Sequence, residues 1–86
     1  MNKLENWNEK TRGLYRYVIC TGACYEIHIV HWCHKTDILT AKARLYIVGD
    51  WRDKDGTNLF ERELLLENTV QECLEYAVKD NAENNS

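Results

Sequence analysis

Residues 14–33 read LYRYVICTGACYEIHIVHWC, and this stretch decides the fold class. Tyrosine, isoleucine and valine dominate it, and the Thr-Gly-Ala of residues 21–23 interrupts it. That pattern predicts a β-hairpin with strands near residues 14–21 and 24–33. Two more stretches of the same character follow near residues 40–51 and 59–66. The sequence therefore predicts an antiparallel sheet of three to four strands over residues 14–66.

The next segment, NTVQECLEYAVKD at residues 68–80, changes to a helical period. Thr69 and Glu72 have the spacing of a capping box at a helix N-terminus. Apolar residues then recur at i, i+3, i+4, i+7 and i+8, at Val70, Cys73, Leu74, Ala77 and Val78. This stripe predicts a helix that packs on one face of the sheet. The predicted fold class is therefore α+β.

The two ends of the chain carry weaker signals. Leu4 and Trp7 have the spacing of buried positions in a short N-terminal helix within residues 1–13, ending at Gly13. Residues 81–86 are polar and predict a frayed tail. With 86 residues, the chain has the length of one domain with one modest core.

Alternation along the strands predicts which residues share a face. A two-residue turn at residues 21–23 would pair even positions of the first strand with odd positions of the second. That register places Val18 and Cys20 under the helix, with Arg16 on the same parity. It exposes aromatic side chains on the opposite face, and those predicted to bind a partner are Tyr15, Tyr17, Trp32 and Tyr46.

A concentration of cysteine and histidine raises the alternative of a zinc-binding module. The candidate ligands are Cys20, Cys24, His31, Cys33 and His34. Zinc needs four ligands that converge on one point, and the two-residue turn sends Cys20 and Cys24 to opposite faces. A three-residue loop would bring them to the same face. The favoured interpretation has no metal or other cofactor and has Cys20, Cys33 and Cys73 as small core residues.

Other motifs of chemistry are missing from the sequence. No glycine-rich phosphate loop is present, and no Cys-His pair is accompanied by an oxyanion loop. The start of the chain lacks the apolar run of a signal peptide, and no stretch is long and apolar enough to span a membrane. These features predict a non-enzymatic, cytoplasmic protein that does not contact membranes.

Charge is distributed unevenly along the chain, whose net charge is −3. Residues 59–86 contain two Lys/Arg and seven Asp/Glu. Such an acidic segment predicts a protein partner with a basic surface and argues against direct contact with phosphates. A second copy of this chain is another partner that the aromatic face would suit. Stacking of single-stranded nucleic acid on the same aromatics remains an alternative function.

The acidic run LFERELLLENTVQECLEYAVKDNAE at residues 59–83, the small size and the proline-free sheet together have the character of one group of proteins. The chain resembles small acidic inhibitor proteins of phages and mobile elements, including anti-CRISPR proteins. The resemblance implies that carboxylates occupy a basic groove meant for nucleic acid in a partner enzyme. The carboxylates that it assigns to this contact are Glu67, Glu72, Glu75, Asp80 and Glu83.

Overall fold

The computed structural model describes residues 1–20, 22–31, 37–53 and 56–84, and along residues 50–60 and at residue 84 it describes the backbone alone. The fold is α+β, with an antiparallel sheet and one C-terminal helix. The strands are β1 (Asn8–Thr11), β2 (Leu14–Cys20), β3 (Ala23–His31), β4 (Lys42–Asp53) and β5 (Gly56–Thr69), and the helix is α1 (Val70–Asn84). The strands lie in chain order, so each pairs with its sequence neighbours. The sheet thus has five strands rather than the predicted three to four.

The additional strand, β1, occupies part of the predicted N-terminal helix. Only Leu4–Asn6 is helical there, as a single 3-10 turn. A turn with Gly13 at a φ of 86° connects β1 to β2, a conformation that glycine adopts without steric strain. All four residues of β1 are exposed, so the strand has no apolar alternation that sequence reasoning could detect.

Helix α1 begins where the capping box predicts. The Glu72 backbone N–H donates to Thr69 Oγ1 over 3.1 Å, and the Thr69 N–H donates to Glu72 Oε1 over 3.3 Å. The helix continues to Asn84, so most of the predicted tail at residues 81–86 is helical. Within the described ranges, no helix has the length and apolar character needed to cross a bilayer.

The core lies between α1 and one face of the sheet. Its buried members are Trp7, Tyr25, Ile27, Ala41, Ala43, Leu45, Val70, Cys73, Leu74 and Ala77. The predicted apolar stripe of α1 supplies the last four, whereas Val78 is 37% exposed. The Tyr25 hydroxyl donates to Asp80 Oδ2 over 2.6 Å and so joins the middle of the sheet to the last turns of the helix.

The register of the β2–β3 hairpin differs from the prediction. Cys20 pairs with Ala23, as a two-residue turn requires, but the register shifts between Val18 and Cys20. Beyond this bulge Val18 pairs with Cys24, and the following pairs join even positions with even and odd positions with odd. One additional residue in a strand reverses the face of every residue beyond it. The predicted faces of β2 are therefore wrong from Val18 back to Leu14.

Strands β4 and β5 run beyond the rest of the sheet. Gly49 is the last β4 residue that pairs with β3, through Ala23. The next four residues of β4, 50–53, pair with residues 56–59 of β5. This two-stranded ribbon continues one end of the sheet and gives the molecule a long dimension of 49 Å.

Candidate functional site

The predicted aromatic surface does not assemble as one face. Tyr15 and Tyr17 lie on the helix side, where they pack against the core, and the Tyr17 ring is 5.5 Å from the Trp7 ring. Burial, together with a hydrogen bond to Glu9, raises the pKa of Tyr15. Tyr46 lies on the opposite side of the sheet, and Trp32 is outside the described residues. The prediction that Tyr15 and Tyr17 are exposed beside Tyr46 is wrong, which removes two of the four aromatics from the predicted stacking platform for nucleic acid.

We use the term open face for the side of the sheet opposite α1. A row of directly paired residues crosses it from β2 to β5, namely Arg16, Glu26, Tyr46 and Glu63. A second row, nearer the β2–β3 turn, contains Val18, Cys24, Val48 and Glu61. Because paired residues on adjacent strands project to the same side, each row is a line of neighbouring side chains.

Glu26 is the buried centre of the open face, with 7% of its surface exposed. Arg16 Nε and Nη2 both donate to Glu26 Oε2, over 3.0 and 2.7 Å, and His28 Nε2 lies 3.0 Å from Oε1. The His28 ring also packs 4.5 Å from the Tyr46 ring. Burial by itself raises the pKa of the Glu26 carboxyl, but the bonds from His28 and Arg16 outweigh it and lower the pKa.

Sequence reasoning missed this cluster because it placed Arg16 on the other side of the sheet. The shifted register pairs Arg16 directly with Glu26. Alternation along β3 places Glu26 and His28 on one face, but only the register shows that Arg16, ten positions earlier in the chain, meets them. Arg16 and His28 therefore hold the Glu26 carboxylate in one position on the open face.

Cys20 and Cys24 line one groove of about 280 Å³ on the open face, together with Val18 and Val48. The prediction that the two cysteines lie on opposite faces is therefore wrong, and so is the prediction that Cys20 is a core residue, because Cys20 is exposed. Even so, the described part of the chain contains no group of three His, Cys, Asp or Glu residues placed to hold a metal ion. His31 is exposed at the end of β3, and the other two candidates, Cys33 and His34, lie outside the described residues.

Two cysteine thiols are held in the neutral form. Burial raises the pKa of Cys73 to about 12, and this residue of α1 is fully buried in the core, as predicted. Burial also raises the pKa of Cys24, and the Glu26 charge adds to the rise while Arg16 and Lys10 oppose it. Neutral thiols are poor nucleophiles and poor metal ligands.

The predicted partner-binding carboxylates have distinct positions. Asp80 accepts the hydrogen bond from Tyr25, so it is part of the packing between helix and sheet. Glu72 belongs to the capping box, and Glu75 Oε1 accepts from Gln71 Nε2 over 3.0 Å. Glu67 is exposed at the end of β5 with a φ of 39°, and Glu83 is exposed near the end of α1. Four of the five carboxylates therefore reach solvent near α1, and Asp80 is half-buried.

Two of them line what we call the acidic groove, an open depression of about 310 Å³ between β5 and α1. Its walls consist of Leu65, Asn68, Glu72, Glu75, Tyr76 and Lys79. Tyr76 was not singled out from the sequence, although it follows Glu75 directly and is 38% exposed. The helical period, which places residue 76 off the buried stripe, was the signal that could have identified it.

The acidic groove and the open face lie on opposite sides of the sheet, because α1 covers only one side. Each combines charged groups with exposed apolar groups, as interfaces commonly do.

Comparison of the chain with protein-family models, with curated proteins and with solved structures found no match.

Proposed function

We propose that this chain is a non-enzymatic protein-binding module that holds a basic segment of its partner in the acidic groove. The observation that carries the proposal is the groove itself, where Glu72 and Glu75 flank Tyr76. An exposed aromatic side chain beside two carboxylates is the arrangement of an interface anchor with a polar rim. Lys79 is the single basic residue among the residues that line it.

The carboxylates of the groove are already held in position. Glu72 Oε1 accepts from Thr69 Oγ1 over 2.9 Å, and Glu75 is fixed by Gln71. Binding a flexible side chain costs about 0.5–1.5 kcal/mol of lost rotamer freedom, so a pre-positioned carboxylate binds a lysine or arginine with less loss. This preorganisation supports the groove over the rest of the acidic segment.

Apolar contact area accompanies the charges. Tyr76 lines the groove and is 38% exposed. Leu65 forms the floor of the groove on the β5 side and is half-buried against the core. A partner segment that alternates basic and apolar residues would fit both features.

The resemblance to acidic phage inhibitors narrows the class of partner. It implies a protein whose basic groove binds nucleic acid, and the chain would then act by occupying that groove. The charge of the C-terminal segment agrees with a basic partner groove, because residues 59–86 contain five more acidic than basic residues. The resulting proposal is an inhibitor of a nucleic-acid enzyme, of the anti-CRISPR kind.

A fluorescence-anisotropy titration with a defined peptide tests the groove. The probe is a fluorescein-labelled peptide of alternating lysine and leucine, and a glutamate-leucine peptide of equal length is the negative probe. We expect the basic peptide to bind the wild type, and Glu75→Lys and Tyr76→Ala each to weaken binding about tenfold. Glu75 is chosen over Glu72 because Glu72 also caps the helix.

Glu5→Lys is the matched control, since it changes the net charge by the same amount at an exposed position on the other flank of α1. Binding within about twofold of the wild type is expected for it. Equal losses in Glu5→Lys and Glu75→Lys would mean that net charge alone attracts the peptide, and the groove would not be the site.

A further inference from the structure

Among the described residues, no helix or strand covers the open face, and this face combines apolar groups with separated charges. Val18 is 60% exposed and Val30 is 49% exposed on this side. Cys24 and Val48 are half-buried beside Val18 in the same groove. Exposed β-sheet faces with contiguous apolar groups commonly pack against another layer.

Charge on the open face runs from basic on the β1–β2 flank to acidic on the β5 flank, with Arg44 of β4 as a basic residue beside the acidic flank. Lys10 of β1 and Arg16 of β2 lie on one flank, and their charges both act on Cys24. Glu61 and Glu63 lie on the other flank, on the edge strand β5. A hydrogen bond with Tyr46 raises the pKa of Arg44, and the charge of Glu63 raises it further. The Glu63 charge therefore acts on the open face.

This gradient makes the open face complementary to itself. A two-fold axis in the interface, parallel to the strands and between β3 and β4, superposes β2 of one copy on β5 of the other. The row Arg16, Glu26, Tyr46, Glu63 then faces the same row reversed. Arg16 meets Glu63 of the second copy, and Tyr46 meets Glu26. An isologous contact of this kind occurs twice in each dimer, so each complementary pair counts double.

We propose that two copies of this chain pack their open faces together as a two-layer β-sandwich. Two sheets pack at about 10 Å with strand directions within about 30°, which keeps the reversed rows within reach of long side chains. The buried Glu26 favours the arrangement, since Arg16 and His28 already satisfy it and no unpaired carboxylate has to be desolvated. This inference does not rest on the acidic groove, which lies on the other side of the sheet.

The area of the open face sets the expected affinity of the dimer. Four strands at about 4.8 Å spacing and about seven residues in length cover roughly 450 Å² on each copy. That is at the low end for specific interfaces, so we expect a dimer that dissociates in the micromolar range. A wide range of protein concentrations, from below to above the dissociation constant, is therefore needed to observe dimerisation.

Val18 provides a test that depends on the sign of a charge. In the reversed row it faces Glu61 of the second copy, and it is exposed enough to be replaced without loss of the core. Sedimentation velocity from about 1 to about 500 µM gives the dimer dissociation constant of each variant. Val18→Lys should dimerise at least about tenfold more tightly than Val18→Glu, because each dimer contains the contact twice.

Two further variants complete the experiment. Val78→Glu places the same charge on a partly exposed valine of α1, on the other side of the sheet, and its dissociation constant should stay within about twofold of the wild type. Glu61→Lys combined with Val18→Glu should restore the dimer that Val18→Glu loses. Circular dichroism confirms that each variant is folded.

The proposal is overturned by a wild type that stays monomeric at every concentration. It is also overturned by equal dissociation constants for Val18→Lys and Val18→Glu. If Val18 made only an apolar contact, with no facing charge, both substitutions would weaken the dimer equally. Either result leaves peptide binding by the acidic groove unaffected, so the two proposals fail separately.

Discussion

Glu26 is buried on the side of the sheet that α1 does not cover, and its charge is balanced within 3.0 Å by Arg16 and His28. A buried carboxylate with such partners stabilises the fold only while it is ionised. Its lowered pKa has a direct consequence for stability against acid. The stabilisation is present above the carboxyl's ordinary pKa of 4.5 and is lost as the pH falls through the lower value of the folded state.

Glu26→Gln should therefore destabilise the protein in a pH-dependent manner. At about pH 6 we expect the free energy of unfolding to fall by about 1.5–3 kcal/mol, the usual range for hydrogen bonds to a charged group. Below about pH 4 the wild type loses the same stabilisation, so the difference between the two proteins should shrink. Urea unfolding across this pH range measures it.

Glu61→Gln is the control, because it removes an exposed carboxylate from the same side of the sheet. Its free energy of unfolding should stay within about 0.5 kcal/mol of the wild type. A Glu26→Gln deficit that is as large at about pH 3 as at about pH 6 would contradict the role assigned to the ionised carboxylate.

At the scale of elements, α1 depends on its cap, and Thr69 is the residue that tests it. Thr69→Ala removes the side chain that accepts from the Glu72 N–H, and we expect a loss of about 1 kcal/mol in the free energy of unfolding. Thr11→Ala, on the exposed strand β1, should lose less than about 0.5 kcal/mol. Chemical denaturation gives the free energy of unfolding of both variants. Equal losses in the two would show that the Thr69 cap does not stabilise the helix.

The same elements show which parts of the fold were accessible from the sequence. The cap and the buried stripe of α1 are local, because each depends on residues three or four positions apart, and both were predicted correctly except for the exposed Val78. The faces of β2 depend on one bulge between Val18 and Cys20, which no local pattern marks. That single shift moved Arg16 and Tyr17 to the wrong sides, and with them the predicted aromatic surface.

The candidate sites follow the same division. The acidic character of the region around α1 is a matter of composition and was predictable. The acidic groove was not, because it requires Leu65 of β5 to lie against Tyr76 of α1. Strand β1 was missed for a different reason, since its four residues are all exposed and polar.

In the whole molecule, the sheet separates the two proposed interfaces. A sandwich of two open faces would leave both helices α1 on the outside, with one acidic groove on each side of the dimer. Such a dimer would hold two basic segments at once, and a partner with two such segments would gain from effective concentration without any new contact. The dimer would also protect the exposed valines of the open face from solvent.

Thermal stability should then depend on protein concentration. Because the dimer contains only folded chains, a higher concentration favours the folded state by mass action. Between about 5 and about 500 µM we expect the wild-type Tm to rise by several degrees, since about 1 kcal/mol shifts the Tm of a small domain by about 4–8 °C. Calorimetry at constant ionic strength measures this rise, and Val18→Glu should show almost none. A wild-type Tm that stays constant would mean that the open face faces solvent in the folded protein, with Arg16 and Glu63 unpaired across any interface.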